Sequence, residues 1–387
     1  MDYTGKRVLL LDGYGRQIPS LLRQLHRLSC VVTTLCDSRL DVGFTSRYPA
    51  RRIVEPGIRE DAELLRRVID RELASGCYDV IFPVIERSTD ILSAYVRDGK
   101  VCDVKVLCAP YDAFVRAYDK QQTMTACMDH GIPCPLTRRD GEDLTEFISR
   151  AGFPLACKPR RGSGSAGFKK VAGPAELDAY IADGSIRPEE YVIQQYIPQS
   201  GHMFNCYVFM DDAHEPMFAL PVETSRWFPP DGGAGCFAQT VDRPDVTESA
   251  VKLLRALGWA GMGQVSFMSD PRDGSVRVTE INGRISAGIR ICEVTGCDPV
   301  KYLLDRAYGE PMTPVSHRIP TGIGLRYFHT DILWLLKSPN RWKTKPNWFD
   351  FRKNVDYIFS WSDPLPFFSY AVEHMLSYKK DMEKRKH

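Results

Sequence analysis

Between Cys157 and Val171 the chain reads CKPRRGSGSAGFKKV, three glycines and two serines set among basic residues. A backbone of that composition can approach phosphate closely. Glycine permits positive φ, free N–H groups can turn toward an anion, and ammonium groups oppose its charge. The phosphate loop G-x-x-x-x-G-K-[ST], between a strand and a helix, is a different pattern, and no helix-forming stretch follows until about Ala175. GFPLACKPR and FKKVAG instead read as two strands, which makes the glycine run a hairpin tip; taken alone, it can equally be read as a mobile hairpin. Far downstream, TEINGR sets Glu280 and Asn282 two residues apart on one predicted strand. Both side chains then leave the same face, as shared ligation of a hard cation requires.

These residues need a scaffold, and the chain supplies one in segments. From Lys6 to Ala109, compact apolar runs (RVLLLDG, CVVTTLC, DVIFPV, VKVLCAP) alternate with amphipathic stretches such as PSLLRQLHRL and REDAELLRRVIDREL. The runs are continuous, as in parallel strands buried on both faces, so the pattern predicts a doubly wound α/β unit. Its first turn, DGYGRQ, fails the dinucleotide fingerprint because Ile18 stands where the third glycine belongs. Next, Asp119 can cap a helix that runs to His130, where Gly131 and Pro133 stop it. EEYVIQQYI, MFNCYVFMDD, QVSFMSD and SVRVTEIN are strand-like, and Asp298 with Pro299 is placed to open a later helix. From Pro311 the texture changes to mixed aromatic and basic residues, ending in KKDMEKRKH. That segment reads as an appendage covering a domain, with a membrane-surface role as the alternative.

Composition narrows the function classes. Of 387 residues, 43% are apolar and 26% charged, and the net charge of +2 gives no field to gather a polyanion, so nucleic acid is not the expected partner. The opening apolar run is too short for a secretory signal and reads as a first strand. Twelve cysteines are scattered without C-x-x-C pairs, which reads as reduced thiols and a cytoplasmic setting.

Lys120 at a helix start, Lys158 with its glycine loop, VIQQYI and TEINGR occur in that order. In this ordered set the chain resembles the ATP-grasp superfamily. Within it, the resemblance is to the carbamoyl-phosphate-synthetase-like carboxylate-amine ligase branch that includes D-aspartate ligase. The likeness runs from Lys6 to about Glu310, and SDPLPF near the C-terminal end resembles a recurrent ending in that branch. It implies an N-terminal α/β domain (1–112), a two-part ATP-grasp α+β domain (113–310, with a small lid at about 119–195 and a larger part at 196–310) and a C-terminal appendage (311–387). It also implies ATP with Mg2+, or Mn2+, as cofactors.

By the same resemblance, Lys120 and Lys158 contact the ATP phosphates, while Gly162, Ser163, Gly164, Ser165 and Gly167 close over them as a lid. Gln194, Gln195, Tyr196 and Ile197 match the adenine hinge; Gln194 stands where glutamate is common and keeps an acceptor oxygen. Met203 occupies the place of an acidic ribose contact, with His202 as the neighbouring substitute. Glu280 and Asn282 hold the metal. Ser266 stands where relatives have Glu, Asp or Gln on the adjoining strand, with Gln264 on its face. Arg284 steadies the transferred phosphoryl group. ETSRWFPPDGGAGC looks like a loop that carries an arginine beside the acyl phosphate, giving Arg226 with Gly232 and Gly233. Ser286, Gly288 and Arg290 are offered to an amino-acid carboxylate.

The implied reaction joins a small carboxylate to an amine through an acyl phosphate, ADP-forming, with an amino acid as one substrate. The alternatives are carboxyl-phosphate or carbamate chemistry of the biotin carboxylase or carbamoyl-phosphate synthetase type, and a nucleotide-binding module without catalysis. The family often pairs, which leaves a homodimer open.

Overall fold

The computed structural model describes residues 1–101, 103–162, 167–198, 202–230 and 233–384. Its first sheet is wholly parallel, in the order β3-β2-β1-β4-β5, from β1 (Arg7–Leu10), β2 (Val31–Cys36), β3 (Arg51–Val54), β4 (Val80–Phe82) and β5 (Lys105–Val106). Helices α1 (Ile18–Arg27), α2 (Val42–Thr45), α3 (Ala62–Ala74) and α4 (Glu86–Arg97) connect the strands. The continuous apolar run of β1 is explained by two cores: Val8 and Leu10 join the cluster containing α1, while Leu9 and Leu11 join that of α3 and α4. The expected doubly wound unit is therefore present. At the end of β1, buried Asp12 accepts bonds from the backbone N–H of Val84 and Ile85 and from the Ser88 hydroxyl. It fastens the turn that opens α4, and so the position of Glu86.

After α5 (Tyr111–Tyr118), α6 (Lys120–Asp129) begins on its predicted cap: the Asp119 carboxylate accepts from the Gln121 N–H at 2.9 Å. A three-stranded antiparallel sheet, β7-β6-β8, follows, formed by β6 (Leu155–Pro159), β7 (Lys169–Val171) and β8 (Tyr191–Gln195), with α7 (Leu144–Ala151) and α8 (Pro174–Ala182). Leu155, Cys157 and Ile193 fill the core of this small unit. Strand alternation sends Lys158 and Gln194 to its other face.

The third sheet contains β9 (Met203–Met210), β10 (Pro216–Phe228), β11 (Ala234–Thr240), β12 (Gly261–Ser269), β13 (Val276–Asn282), β14 (Gly324–Arg326) and β15 (Asn354–Asp356). Their order is β13-β12-β9-β10-β11-β14-β15, so the segment after Pro311 contributes the last two strands, with β15 at the edge. One face packs on α6 and α9 (Pro244–Ala256) through Phe204, Cys206, Val265, Phe267 and Ile281. The other shares a core with α1, α10 (Ile289–Val294) and α11 (Pro299–Tyr308). Asp298 lies at the start of α11 at a φ of 40°, but its side chain does not cap the helix; it pairs with Arg27 at 3.5 Å. Helices α12 (Phe328–Lys337) and α13 (Leu365–Lys384) complete the fold. None of the described helices is long and apolar enough to cross a membrane.

Candidate functional site

Directly opposed residues of an antiparallel pair project from the same face. Glu280 lies opposite Ser266, which lies opposite Asn205; Asn282 lies opposite Gln264, which lies opposite Tyr207. These six residues form two adjacent rows across β13, β12 and β9. Between Ser266 and Phe267 the register slips, leaving Thr279 as the extra residue of a bulge. Its carbonyl accepts the Lys158 ammonium at 3.1 Å, carrying β6 of the small unit to β13 of the large sheet.

Lys120 arrives from a third element. Its ammonium donates to the Gly162 carbonyl at 2.7 Å, its backbone N–H donates to the Arg160 carbonyl at 2.9 Å, and Arg160 forks onto Asp119. The start of α6 is thereby fastened to the root of the glycine loop. Gly162 has a φ of 112° and Gly167 one of 72°, and a Cβ on Gly167 would lie 2.7 Å from Cγ of Pro159. Both positions require glycine. Ser163, Gly164 and Ser165, expected over the phosphates, lie outside the described residues, as does Gly232.

The charges are coupled. Burial holds Lys158 at about 8, offset by Glu280 and reinforced by Lys120; burial also lowers Lys120, offset first by Glu280 and then by Glu86. Two ammonium groups thus share the field of one carboxylate. No ion pair among the described residues engages Glu280, so its oxygens are not consumed by either lysine. Asn282 is on the same face, and the pair fits a Mg2+ ion whose remaining ligands are phosphate oxygens and water.

The adjoining strand offers less. Ser266 Oγ and Gln264 Nε2 both donate to Oδ1 of Asn205, at 2.9 and 2.6 Å, which ties these side chains together and leaves the Gln264 amide oxygen as the remaining acceptor. Among the described residues, no three His, Cys, Asp or Glu side chains cluster around a common metal position. Gln194 is buried, and its amide donates to Thr137 Oγ1 at 2.7 Å; Gln195 accepts from Arg272 at 3.3 Å. Tyr196 donates its backbone N–H to Pro154 and carries Lys170 over its ring, and Ile197 is buried. His202 is exposed and hydrogen-bonded to Glu223. Glu223 lies opposite Phe204, whose side chain packs in the α6–α9 core, so this pair belongs to the reverse face from Glu280 and Asn282.

Arg284 donates through Nε to Glu86 at 2.6 Å and through Nη1 to the Ile285 carbonyl. Sequence reading missed Glu86 and Asn205. The latter had a signal, a lone amide in the apolar run MFNCYVFM; Glu86 had none beyond following a strand. Gln17, in the first turn of the N-terminal sheet, donates to the Ile285 carbonyl at 3.2 Å. Beside it, the Arg16 guanidinium lies 4.6 Å from the centre of the Tyr327 ring.

Two of the expected substrate contacts are engaged within the protein, the first of them Arg226. A register irregularity on either side of it in β10 directs it inward, where it is 0% exposed, forks onto Asp331 of α12 at 2.7 and 2.9 Å and lies 3.9 Å from the centre of the Phe237 ring. The predicted loop is a strand, and its arginine is a buried fastening. Arg290 is likewise engaged. Burial and then Arg23 hold it near 10, and it donates to Glu293 at 3.1 Å, which also accepts from Arg23, Arg27 and Ser20. Gly288 packs so tightly that a Cβ would overlap the Tyr207 hydroxyl. Ser286, beside it, is buried.

Residues 237–315 match the family model described as carbamoyl-phosphate synthase L chain, ATP binding domain. A D-alanine–D-alanine ligase of Bordetella petrii is 27% identical over 220 residues, 51% of this chain and 64% of that protein. A carbamoyl phosphate synthase large chain of Thermomicrobium roseum is 24% identical over 296 residues, 72% of this chain and 27% of that one. The chain therefore spans less than two thirds of either relative. Among solved structures, the biotin carboxylase domain dimer of Hydrogenobacter thermophilus 2-oxoglutarate carboxylase, in complex with MgADP, ADP and bicarbonate, matches with a TM-score of 0.66 at 16% identity, covering 83% of this chain and 73% of that one. These likenesses give the chain the fold of the biotin carboxylase domain and support the resemblance to the ATP-grasp superfamily.

Proposed function

We propose that this chain is an ATP-grasp, ADP-forming carboxylate–amine ligase. The observation that carries the reading is the convergence of Lys120, Lys158 and Glu280 from α6, β6 and β13. Two ammonium groups beside one carboxylate form a cationic cradle for a nucleotide triphosphate, and the carboxylate gives that cradle a place for its cation. Glu280 and Asn282 would hold Mg2+, which supplies charge neutralisation across the phosphates. Gln194 would offer its amide oxygen to the adenine, its NH2 being used by Thr137, with Gln195, Tyr196 and Ile197 along the base.

In the reaction, a substrate carboxylate oxygen attacks the γ-phosphorus, ADP leaves, and an acyl phosphate forms; an amine then displaces phosphate to give an amide. Lys158 and Lys120 hold the phosphates, and Arg284 steadies the transferring group from a position fixed by Glu86. Phosphoryl transfer of this kind depends on positioning and charge neutralisation, and the residues named need form no covalent bond to substrate. Arg16, between the first turn and Tyr327, is a suitable contact for an acidic group on the substrate.

The test is trapping. With ATP, Mg2+ and hydroxylamine, pools of amino and hydroxy acids should yield a hydroxamate of one acid, and mass spectrometry of the amide product should identify the amine. No hydroxamate from any acid, with no ADP release, would leave nucleotide binding without catalysis. A second reading is carboxyl-phosphate formation from bicarbonate, supported by the likeness to a biotin carboxylase domain over 83% of this chain. ADP release that depends on bicarbonate and needs no organic acid would establish it instead. A homodimer is consistent with the dimer named for that neighbour, and light scattering tests it.

A further inference from the structure

An open parallel sheet takes ligands at the carboxyl ends of its strands, where the strand order reverses. In the first sheet that point lies between β1 and β4, because β2 and β3 are laid down on one side of β1 and β4 and β5 on the other. The turn after β1 carries Arg16. The turn after β4 leads to Glu86, whose pairing with Arg284 joins this crevice to the phosphate site. Arg16 is half-buried, and its guanidinium lies 4.6 Å from the centre of the Tyr327 ring and 5.7 Å from that of Tyr357. Both tyrosines come from the segment after Pro311, beyond the residues 237–315 that match the carbamoyl-phosphate synthase model.

Charge balance sets Arg16 apart from its neighbours. Arg23, Arg284 and Arg290 each pair with a carboxylate, whereas no carboxylate among the described residues pairs with Arg16. Asp356, next to Tyr357 in the chain, spends its oxygens on the N–H groups of Phe328, Ile358 and Phe359. A guanidinium held by ring faces keeps its N–H edge for a planar anion, and a carboxylate fits that fork with two parallel bonds. Tyr207 relates this group to phosphoryl transfer, because it shares a row with Gln264 and Asn282. Burial raises the Tyr357 phenol, offset by Arg16, and burial raises that of Tyr207, reinforced by Tyr357. Arg16, Tyr357 and Tyr207 therefore follow one another toward the metal row. The charges that act on Lys158 are those of Glu280 and Lys120, not that of Arg16. A carboxylate at Arg16 is thus a different one from that which meets the γ-phosphate. We infer that Arg16 and Tyr357 form a subsite for a second substrate carboxylate, carried by the acid that is phosphorylated or by an amino acid that supplies the amine. This inference rests on the ligase reading and gives the C-terminal segment a part in substrate selection.

The test uses the full chain loaded with MgADP and two pairs of probes, succinate with its monoamide and glycine with its amide. In calorimetry, one carboxylate should bind at least about tenfold more tightly than its amide, the difference that a hydrogen bond to a charged group supplies. A preference within the succinate pair assigns the subsite to the acid, and one within the glycine pair assigns it to the amine donor. Arg16→Gln should abolish that preference and Arg16→Lys should keep part of it, with MgADP affinity unchanged in both. Equal binding within both pairs by the unmodified chain, or a preference that survives in Arg16→Gln, would overturn the subsite and leave the ligase reading in place. A fall in MgADP affinity in Arg16→Gln would also overturn it, by placing the guanidinium at the nucleotide. Failure of the unmodified chain to bind MgADP would overturn both.

Discussion

Lys158 gives the nucleotide-site reading its sharpest test, because burial holds its ammonium near 8, inside the range where proteins can be assayed. If a nucleotide requires the charged form, the apparent dissociation constant rises as the fraction of charged lysine falls. With a midpoint near 8, about nine-tenths of the sites are charged at pH 7 and about one-tenth at pH 9. Affinity for MgADP should therefore fall about tenfold across that interval, while the phosphates of the ligand are already ionised throughout. Bound phosphate favours the ammonium form, so the midpoint in the complex should lie higher and proton uptake should accompany binding near pH 8. Calorimetry in two buffers of different ionisation enthalpy measures both quantities. In Lys158→Arg the charge persists, and the decline should flatten even where affinity is lower at every pH. The same argument predicts that stability of the free protein rises between about 8 and the ordinary lysine range. There the unfolded chain holds a proton that the folded one has released. Equal affinity at pH 7 and pH 9, or an unchanged slope in Lys158→Arg, would refute the argument.

Other substitutions separate the site from its supports. Glu280→Gln should leave unfolding by urea nearly unchanged but lower Mg2+-dependent ADP release by roughly 100-fold or more, as loss of a charge-stabilising group does. Asp331→Ala should destabilise by about 3–5 kcal/mol in urea titration, because it leaves the buried Arg226 and Arg326 without their shared carboxylate. Arg226→Met should destabilise less, since Arg326 still faces Asp331, and should not alter the KM for ATP. Gly167→Ala places a side chain at a φ of 72° and against Pro159. The conformational penalty is about 1–2 kcal/mol, and it should appear as weaker nucleotide binding with little change in the global unfolding midpoint.

The N-terminal sheet was legible in the sequence because its strands are buried on both faces, which leaves continuous apolar runs such as RVLLL. Glu280 and Asn282 were legible because two-residue spacing on a strand has one geometric meaning. Arg226 was not: the resemblance put it on a loop, and its inward placement depends on Asp331 of α12, 105 positions away. Strands β14 and β15 are three residues each, too short to leave a periodic pattern. Glu86 escaped for a related reason. Its contact with Arg284 spans 198 positions, and nothing local in VIERSTD announces it.

That contact changes how the site is understood. The two lysines and Glu280 leave a cationic surplus, and the Arg284 guanidinium would add to it if free. Glu86 neutralises Arg284 from the N-terminal unit and also acts on Lys120, so the first α/β sheet contributes charge to the cradle as well as packing area. Asp12 fixes the turn from which Glu86 projects, while Gln17 holds the loop on which Arg284 sits. The N-terminal unit therefore sets both ends of this ion pair. A triphosphate entering the cradle would compete with Glu86 for Arg284, and the position of the arginine would then report whether the site is loaded. That arrangement ties phosphate charge to the contact between the first turn and the Ile285 loop, through groups already joined in the free protein.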